Sequence, residues 1–286
     1  MDINSLRIFS EVAKSGSVST AARSLNYVQS NVSARLKGLE ESLGRELFYR
    51  EKKGREGRGM VLTPAGKTLL QYSDRIIGLT EEARRAVAND KPAGELVIGS
   101  TESNAAVRLP PVLSMYHKTF PDVELRLITG TSEELLNGVL DYSIDGAFVS
   151  GYVEHPGIDT AAEFPEKLVL LSPPEGTDKD VILVFRHGCT YRERLEAWMR
   201  SEGRKPVRVM EFGTIETILS CVAAGMGCSL FPESVANGNE TAKGLRRDEI
   251  DKKYSEIPTL FIKRKNSVTT AAMKEFVAMS IDGCDK

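Results

Sequence analysis

Residues 17–44, SVSTAARSLNYVQSNVSARLKGLEESLG, constrain the fold more tightly than any other stretch of the 286 residues. Two helical periodicities stand on either side of a three-residue break, Asn26, Tyr27 and Val28. In the first, Ser17 can cap the helix while Ala21, Ala22 and Leu25 face inward, and the small alanines let another helix cross closely. In the second, Val32, Leu36, Leu39 and Leu43 stay within an arc of about 60° at 100° per residue, which makes one buried stripe. The opposite side carries Ser30, Ser33, Ala34 and Lys37, with Gln29, Asn31 and Arg35 on the flanks near the amino end. A helix that only meets water more often carries long Glu/Lys pairs, and this one keeps its acids, Glu40 and Glu41, for its far end. Short hydroxyl and amide groups beside cations suit a helix whose first turns enter the major groove of double-stranded DNA.

The flanking sequence fits that reading. Upstream, Leu6, Phe9, Val12 and Ala13 recur at helical spacing and Gly16 ends the helix. Downstream, ELFYREKKGREGRGMVLTPAG reads as a hairpin of strands 47–50 and 60–63 with a Gly-rich, basic tip, a wing whose cations can straddle a phosphate chain. Residues 1–60 hold eleven Lys and Arg against seven Asp and Glu; with a whole-chain charge of -2, this +4 head leaves -6 on the remainder. A cationic head on an anionic body points to a polyanionic partner for the head alone. Pro64 is favourable as a first helical residue. From there to about residue 89, Leu69, Tyr72, Ile76, Leu79, Ala83 and Ala86 alternate spacings of three and four, the seam of a dimerising coiled coil. The GKT at 66–68 is not a phosphate loop, because Val61 stands where that loop needs glycine.

Beyond DKPAG, a hinge-like linker at 90–94, short apolar runs alternate with helical segments: 95–99, 123–129, 144–149, 168–171, 181–185, 207–212, 228–231 and 259–262. Such alternation implies a largely parallel sheet, or two, with helices on the faces. Ligands settle beyond the carboxyl ends of such strands. There the chain places Ser100, Thr101 and Ser103, then Thr131 with Glu134 as a capping box, Thr190 with Glu193 likewise, and Thr214. Hydroxyls converging from both halves describe a cleft for a small polar ligand. Carboxylate or carbonyl groups suit its amide-rich walls, and Glu102 would oppose an anion if it pointed inward.

Four cysteines, Cys189, Cys221, Cys228 and Cys284, show no CxxC spacing, and reduced structural thiols are expected. The competing reading is a redox sensor built on Cys221 and Cys228. Three histidines, His117, His155 and His187, lack the spacing of metal ligands, and no nucleophile elbow occurs, so neither catalysis, metal nor cofactor is expected. No apolar run spans a bilayer and the amino end lacks a signal peptide's apolar centre, which predicts a cytoplasmic protein without a membrane partner.

From Leu6 and Phe9 through Ala21-Ala22, Gln29, Val32-Ser33, Leu39-Glu40, Leu43-Gly44, Leu47-Phe48 and Arg50 to Thr63-Pro64-Ala65-Gly66, the sequence resembles the LysR-type transcriptional regulators. The resemblance implies a multi-domain α plus α/β chain. Its parts would be a winged helix-turn-helix at 1–63, a linker helix at 64–89 and an effector-binding domain at 90–286 that resembles the periplasmic binding proteins. Lobe one would take about 94–163 and 263–286, lobe two about 164–262, with crossovers near Phe164 and Ile262. In that family the positions matching Ser100, Thr131 and Ser150 line the effector site. The expected DNA contacts are Gln29, Ser30, Asn31 and Ser33 near base edges and Arg35, Lys37, Arg50, Lys52, Lys53 and Arg55 on phosphates. A homodimer or homotetramer is expected, with an unidentified polar effector and RNA polymerase as further candidate partners. A small-molecule-binding protein without DNA affinity is the alternative.

Overall fold

A computed structural model of the chain describes residues 1–49, 60–88, 91–175 and 180–282, apart from the side chains of 85, 86 and 88. These fall into two compact units, one containing Met1–Val87 and the other Ala88–Leu140 with Ile144–Lys286. In the first unit α1 is Ile3–Ser15, capped by Asp2 and ended by Gly16 in the left-handed conformation at φ 64°. Helix α2, Val18–Ser24, is capped by Ser17, whose side chain accepts from the Thr20 N–H. Helix α3, Gln29–Leu43, follows a turn in which Asn26 adopts φ 56°. The expected stripes meet: Leu6, Phe9, Val12, Ala21, Ala22, Val32, Leu36 and Leu39 are all buried. Each large apolar side chain removed from water contributes about 1.5–3 kcal/mol, so this small core rests on few residues. Leu43 is the exception at 39% exposure, because α3 ends there, beyond the crossing helices.

The wing's base forms as expected. Phe48 pairs with Leu62, the Tyr49 N–H donates to the Val61 carbonyl at 2.9 Å, and the Thr63 N–H donates to the Leu47 carbonyl at 2.9 Å. Glu40 fastens it to α3 by accepting from the Leu47 N–H at 2.7 Å. Helix α4, Pro64–Ala88, starts where the Thr63 hydroxyl accepts from the Gly66 N–H at 3.0 Å. It is tied to α1 through Asp74, which accepts from Ser10 at 2.7 Å and Lys14 at 3.0 Å.

The second unit begins with β1, Gly94–Ser100, a π-helical turn, Asn104–Arg108, and α5, Leu109–Thr119. Then come β2, Val123–Thr129, α6, Ser132–Leu140, and β3, Gly146–Ser150. A long β4, Ile158–Ser172, leads to β5, Val181–Val184, α7, Thr190–Ser201, β6, Arg208–Glu211, and α8, Ile215–Ala223. After β7, Ser229–Pro232, α9, Glu233–Gly238, and α10, Glu240–Lys243, the chain forms β8, Arg246–Asp248, and α11, Lys252–Ser255. It returns through β9, Glu256–Arg264, to α12, Ala271–Asp282.

The strand order is β2-β1-β3-β9-β4-β7, with β8 also on β4 and β5 paired with β6. Only β1–β2, β1–β3 and β5–β6 are parallel among these pairs; β9 and β4 run antiparallel to their neighbours. The expectation of a largely parallel sheet is therefore corrected by two return strands. Strand β4 pairs with β9 over its first part and with β7 and β8 over its last, so it serves both lobes. The second crossover lies earlier than expected, since Thr259 to Lys263 already pair with β3 and Ile262 lies opposite Ala147. At the crossing, Pro165 stands opposite Pro258. Alternate residues bury both faces of each lobe's sheet, as a two-residue period requires. In lobe one Leu96, Ile98 and Phe148 meet Tyr116 of α5 and Phe276 of α12, while Val97, Ala147 and Val149 meet Leu135 and Val139 of α6. In lobe two Val169, Leu171 and Leu183 meet α8, and Leu168, Leu170 and Ile182 meet Leu195 and Met199 of α7.

Candidate functional site

On α3 the residues expected near base edges, Gln29, Ser30, Asn31 and Ser33, are all exposed, as are Ala34 and Lys37. The cap residue before the helix is Val28, which provides no side-chain cap bond. The Asn31 N–H turns back to the Val28 carbonyl at 3.0 Å, which leaves the N–H groups of Gln29 and Ser30 at the helix start to face outward as donors for an anion. Arg35 is half-buried and lies 3.8 Å from Asp2, whereas Lys37 reaches Glu41 at 3.6 Å. Both pairs are surface contacts that a phosphate can displace at little cost. Arg50, Lys52, Lys53 and Arg55 lie outside the described residues.

In the second unit a cavity of about 340 Å³ opens between the lobes. Thr101, Ser103, Thr131, Ser150 and Thr190 line it, five of the seven hydroxyl residues singled out above. Ser100 is not among the lining residues; it is fully buried and its hydroxyl donates to the Thr101 carbonyl at 2.9 Å. Thr214 does not line the cavity either, since its hydroxyl caps α8 by accepting from the Thr217 N–H at 3.3 Å, and Gly213 takes the lining position. The capping box at Thr131 forms in both directions, with the Glu134 N–H donating to the Thr131 hydroxyl at 3.2 Å and the Thr131 N–H to the Glu134 carboxylate at 2.9 Å. Thr190 forms no such box. Cys189 occupies the cap of α7 without a side-chain bond, and the Thr190 hydroxyl instead donates to the Ser150 carbonyl at 2.8 Å, joining the lobes.

Tyr191 is the lining residue that sequence reasoning missed most plainly. Its buried hydroxyl shares hydrogen bonds with Ser103 at 2.9 Å and Ser150 at 3.0 Å, and burial pushes its pKa far above the ordinary phenol range. As a helical aromatic it carried no signal in sequence to separate it from core. Arg186, Glu211, Phe185 and Phe212 also line the cavity. Arg186 donates to Glu134 at 2.5 Å, a contact that with the capping N–H of Thr131 holds the Glu134 carboxyl below its usual range. Glu211 accepts from Arg192 at 2.9 Å. Glu102 does face the cavity, and one oxygen accepts from the Ile215 N–H at the start of α8 at 3.1 Å. Burial, with Glu216 nearby, raises its pKa despite that bond and the more distant Arg186.

The redox pair does not form. Cys221 packs in the cluster under α8, and Cys228, 1% exposed, lies in the cluster on the opposite sheet face with α7. Burial also raises the Cys189 thiol's pKa, which suppresses its thiolate. Among the described residues no group of three or more His, Cys, Asp or Glu could hold a metal ion, and no helix is long and apolar enough to cross a membrane.

Comparison with known proteins covers both units. The family described as LysR substrate binding domain matches residues 89–285, and that described as bacterial regulatory helix-turn-helix protein, lysR family, matches 3–67. The HTH-type transcriptional regulator SoxR of Arthrobacter sp. (strain TE1826) is 47% identical over 97% of this chain and 96% of its own. GltR of Bacillus subtilis (strain 168), another HTH-type transcriptional regulator, is 41% identical over 97% and 95%. Among solved structures, full-length CbnR complexed with its target DNA is 24% identical with a TM-score of 0.68, covering 99% of this chain and all of that one. A single-substitution variant of full-length OxyR from Pseudomonas aeruginosa is 19% identical with a TM-score of 0.72, covering 99% and 94%.

Proposed function

Because this chain belongs to the LysR family of helix-turn-helix transcriptional regulators, we propose that α3 reads operator DNA through Gln29, Ser30, Asn31 and Ser33. In this reading Arg35, Lys37, Arg50, Lys52, Lys53 and Arg55 neutralise phosphates on either side of the groove. Two copies join through the apolar seam of α4, which brings two heads to neighbouring half-sites, as a dimer or a pair of dimers. A small polar effector held by Thr101, Ser103, Thr131, Ser150 and Thr190 modulates the regulator, and the cleft has a binding rather than a catalytic role. The protein works in the cytoplasm, with RNA polymerase a partner at the promoter.

The observation that supports this best is the first turn of α3. Its side chains are short, polar and exposed, and its cap leaves backbone donors open, while the same helix buries Val32, Leu36 and Leu39 beneath. Duplexes selected from a random pool test it by fluorescence anisotropy. Affinity is expected to fall steeply between about 50 and 200 mM salt, in proportion to the phosphates contacted. Gln29→Ala should cost roughly 1–3 kcal/mol at one base pair only, and Lys53→Ala should weaken every sequence alike. A uniform loss for Gln29→Ala would remove its reading role, and absence of duplex affinity in dilute buffer would remove the whole assignment.

A further inference from the structure

The charges around the inter-lobe cavity do not balance. Arg186 is engaged by Glu134, and Glu211 by Arg192. That leaves Glu102, which lines the cavity from the lobe-one side and, among the described residues, has the Ile215 backbone N–H as its hydrogen-bond partner. No Lys or Arg among the described residues forms an ion pair with it. Arg186 acts on it only from beyond ion-pair distance, and burial first, with Glu216, raises its pKa all the same, so the carboxylate is held at a cost. A purely anionic ligand would add to the burden.

Another part of the same wall has the opposite character. Thr131 and Ser132 open α6, a nine-residue helix whose amino end aims toward the cavity, and the Arg186 guanidinium stands beside them through its bond to Glu134. Glu134 takes the Thr131 N–H and one nitrogen of the guanidinium, so the wall meets a ligand carboxylate with the other N–H groups of Arg186 and the Thr131 hydroxyl. The cavity therefore offers one place for an anion and one for a cation, with Phe185 and Phe212 as apolar surface.

We propose that the effector is a small amino acid whose ammonium pairs with Glu102 and whose carboxylate meets Arg186 and the first turn of α6. This assignment rests on the cleft being the effector site. The ligand's ammonium gives Glu102 the cation it lacks, and since Glu102 belongs to lobe one and its backbone partner Ile215 to lobe two, it arrives at a contact that joins the lobes.

The test is a melting-temperature screen of the full chain, followed by calorimetric titration of hits. Each protein amino acid is compared with the same skeleton lacking the amine (glycine with acetate, alanine with propionate, glutamate with glutarate). At least one amino acid is expected to raise the melting temperature while its deaminated partner, at equal concentration, does not. Glu102→Gln keeps an acceptor for the Ile215 N–H and should weaken that amino acid at least tenfold. Deaminated acids that bind as well as the amino acids, Glu102→Gln binding like the native chain, or no amino acid binding at all would each overturn the proposal. Gly213→Trp separates this from the cleft reading itself. Gly213 lines the cavity and a Cβ there meets nothing within 4 Å, so a side chain can start there without a backbone clash and an indole is expected to crowd the cleft, with an unchanged circular-dichroism spectrum checking the fold. Hits of any class that survive Gly213→Trp unchanged would show that the ligand binds elsewhere; hits lost in Gly213→Trp but indifferent to the amine would sink only the amino-acid assignment.

Discussion

Gly66 shows what a single residue decides. A Cβ at this position would stand 2.1 Å from the Leu47 carbonyl oxygen and 2.9 Å from a Leu62 methyl, and the first of these is backbone. That same carbonyl accepts from Thr63 at the base of the wing, so it has nowhere to retreat. Gly66→Ala is expected to destabilise the head by about 1–3 kcal/mol, read as a lower urea midpoint, and to weaken duplex binding with it. An unaltered midpoint would mean that the strand can shift. The motif Thr63-Pro64-Ala65-Gly66 was legible in the sequence, but the reason for its glycine was not, because the clash comes from a strand well upstream in the chain. Similar reasons separate the hits from the misses in the cleft. Thr101 and Ser103 line it while Ser100, one position before, turns into the core, and no alternation of hydroxyls in a Ser-Thr-Glu-Ser run reveals where a strand ends and its parity is lost. Arg186, an exposed residue in a loop, was indistinguishable from a solvated cation until Glu134 was placed beside it.

At the scale of elements, α4 is the clearest case of a pattern left unfinished within one chain. Leu69 packs against the head's core, but farther along Tyr72 and Leu79 are 55% and 52% exposed. A helix that leaves apolar residues at seam spacing half in water gains by meeting its own copy. Leu79→Asp is expected to convert the assembly to monomers in sedimentation velocity while leaving the monomer's helicity intact, since the side chain is half in water already. A mutant that stays dimeric would place the interface elsewhere. The helices of the head and most strand cores were legible because their apolar residues recur with a clean period. The first half of β4 was not. Its sequence, IDTAAEFPEK, buries one residue, Phe164, and is held by its ladder with β9 rather than by a hydrophobic face, so periodicity had nothing to register. The short β8, Arg-Arg-Asp, escaped for the same reason.

Across the whole molecule, a cationic head of +4 and a remainder of -6 divide the work between a polyanion and a small solute. If the effector acts by changing how the lobes meet, its binding should alter the length of the DNase footprint or the bend angle of a bound operator. An effector that saturates the cleft yet leaves both unaltered would show that its signal takes another form. The two lobes share β4 and β9, a ribbon that neither can leave. Near one end of its ladder Pro165 faces Pro258, two residues with no N–H to give, so neither can donate a hydrogen bond to it at that step. A strap with a crease bends at the crease and resists sliding everywhere else. If an occupant of the cleft turns one lobe against the other, the ribbon is expected to bend at that step, and the length of each lobe would then enlarge a small tilt there.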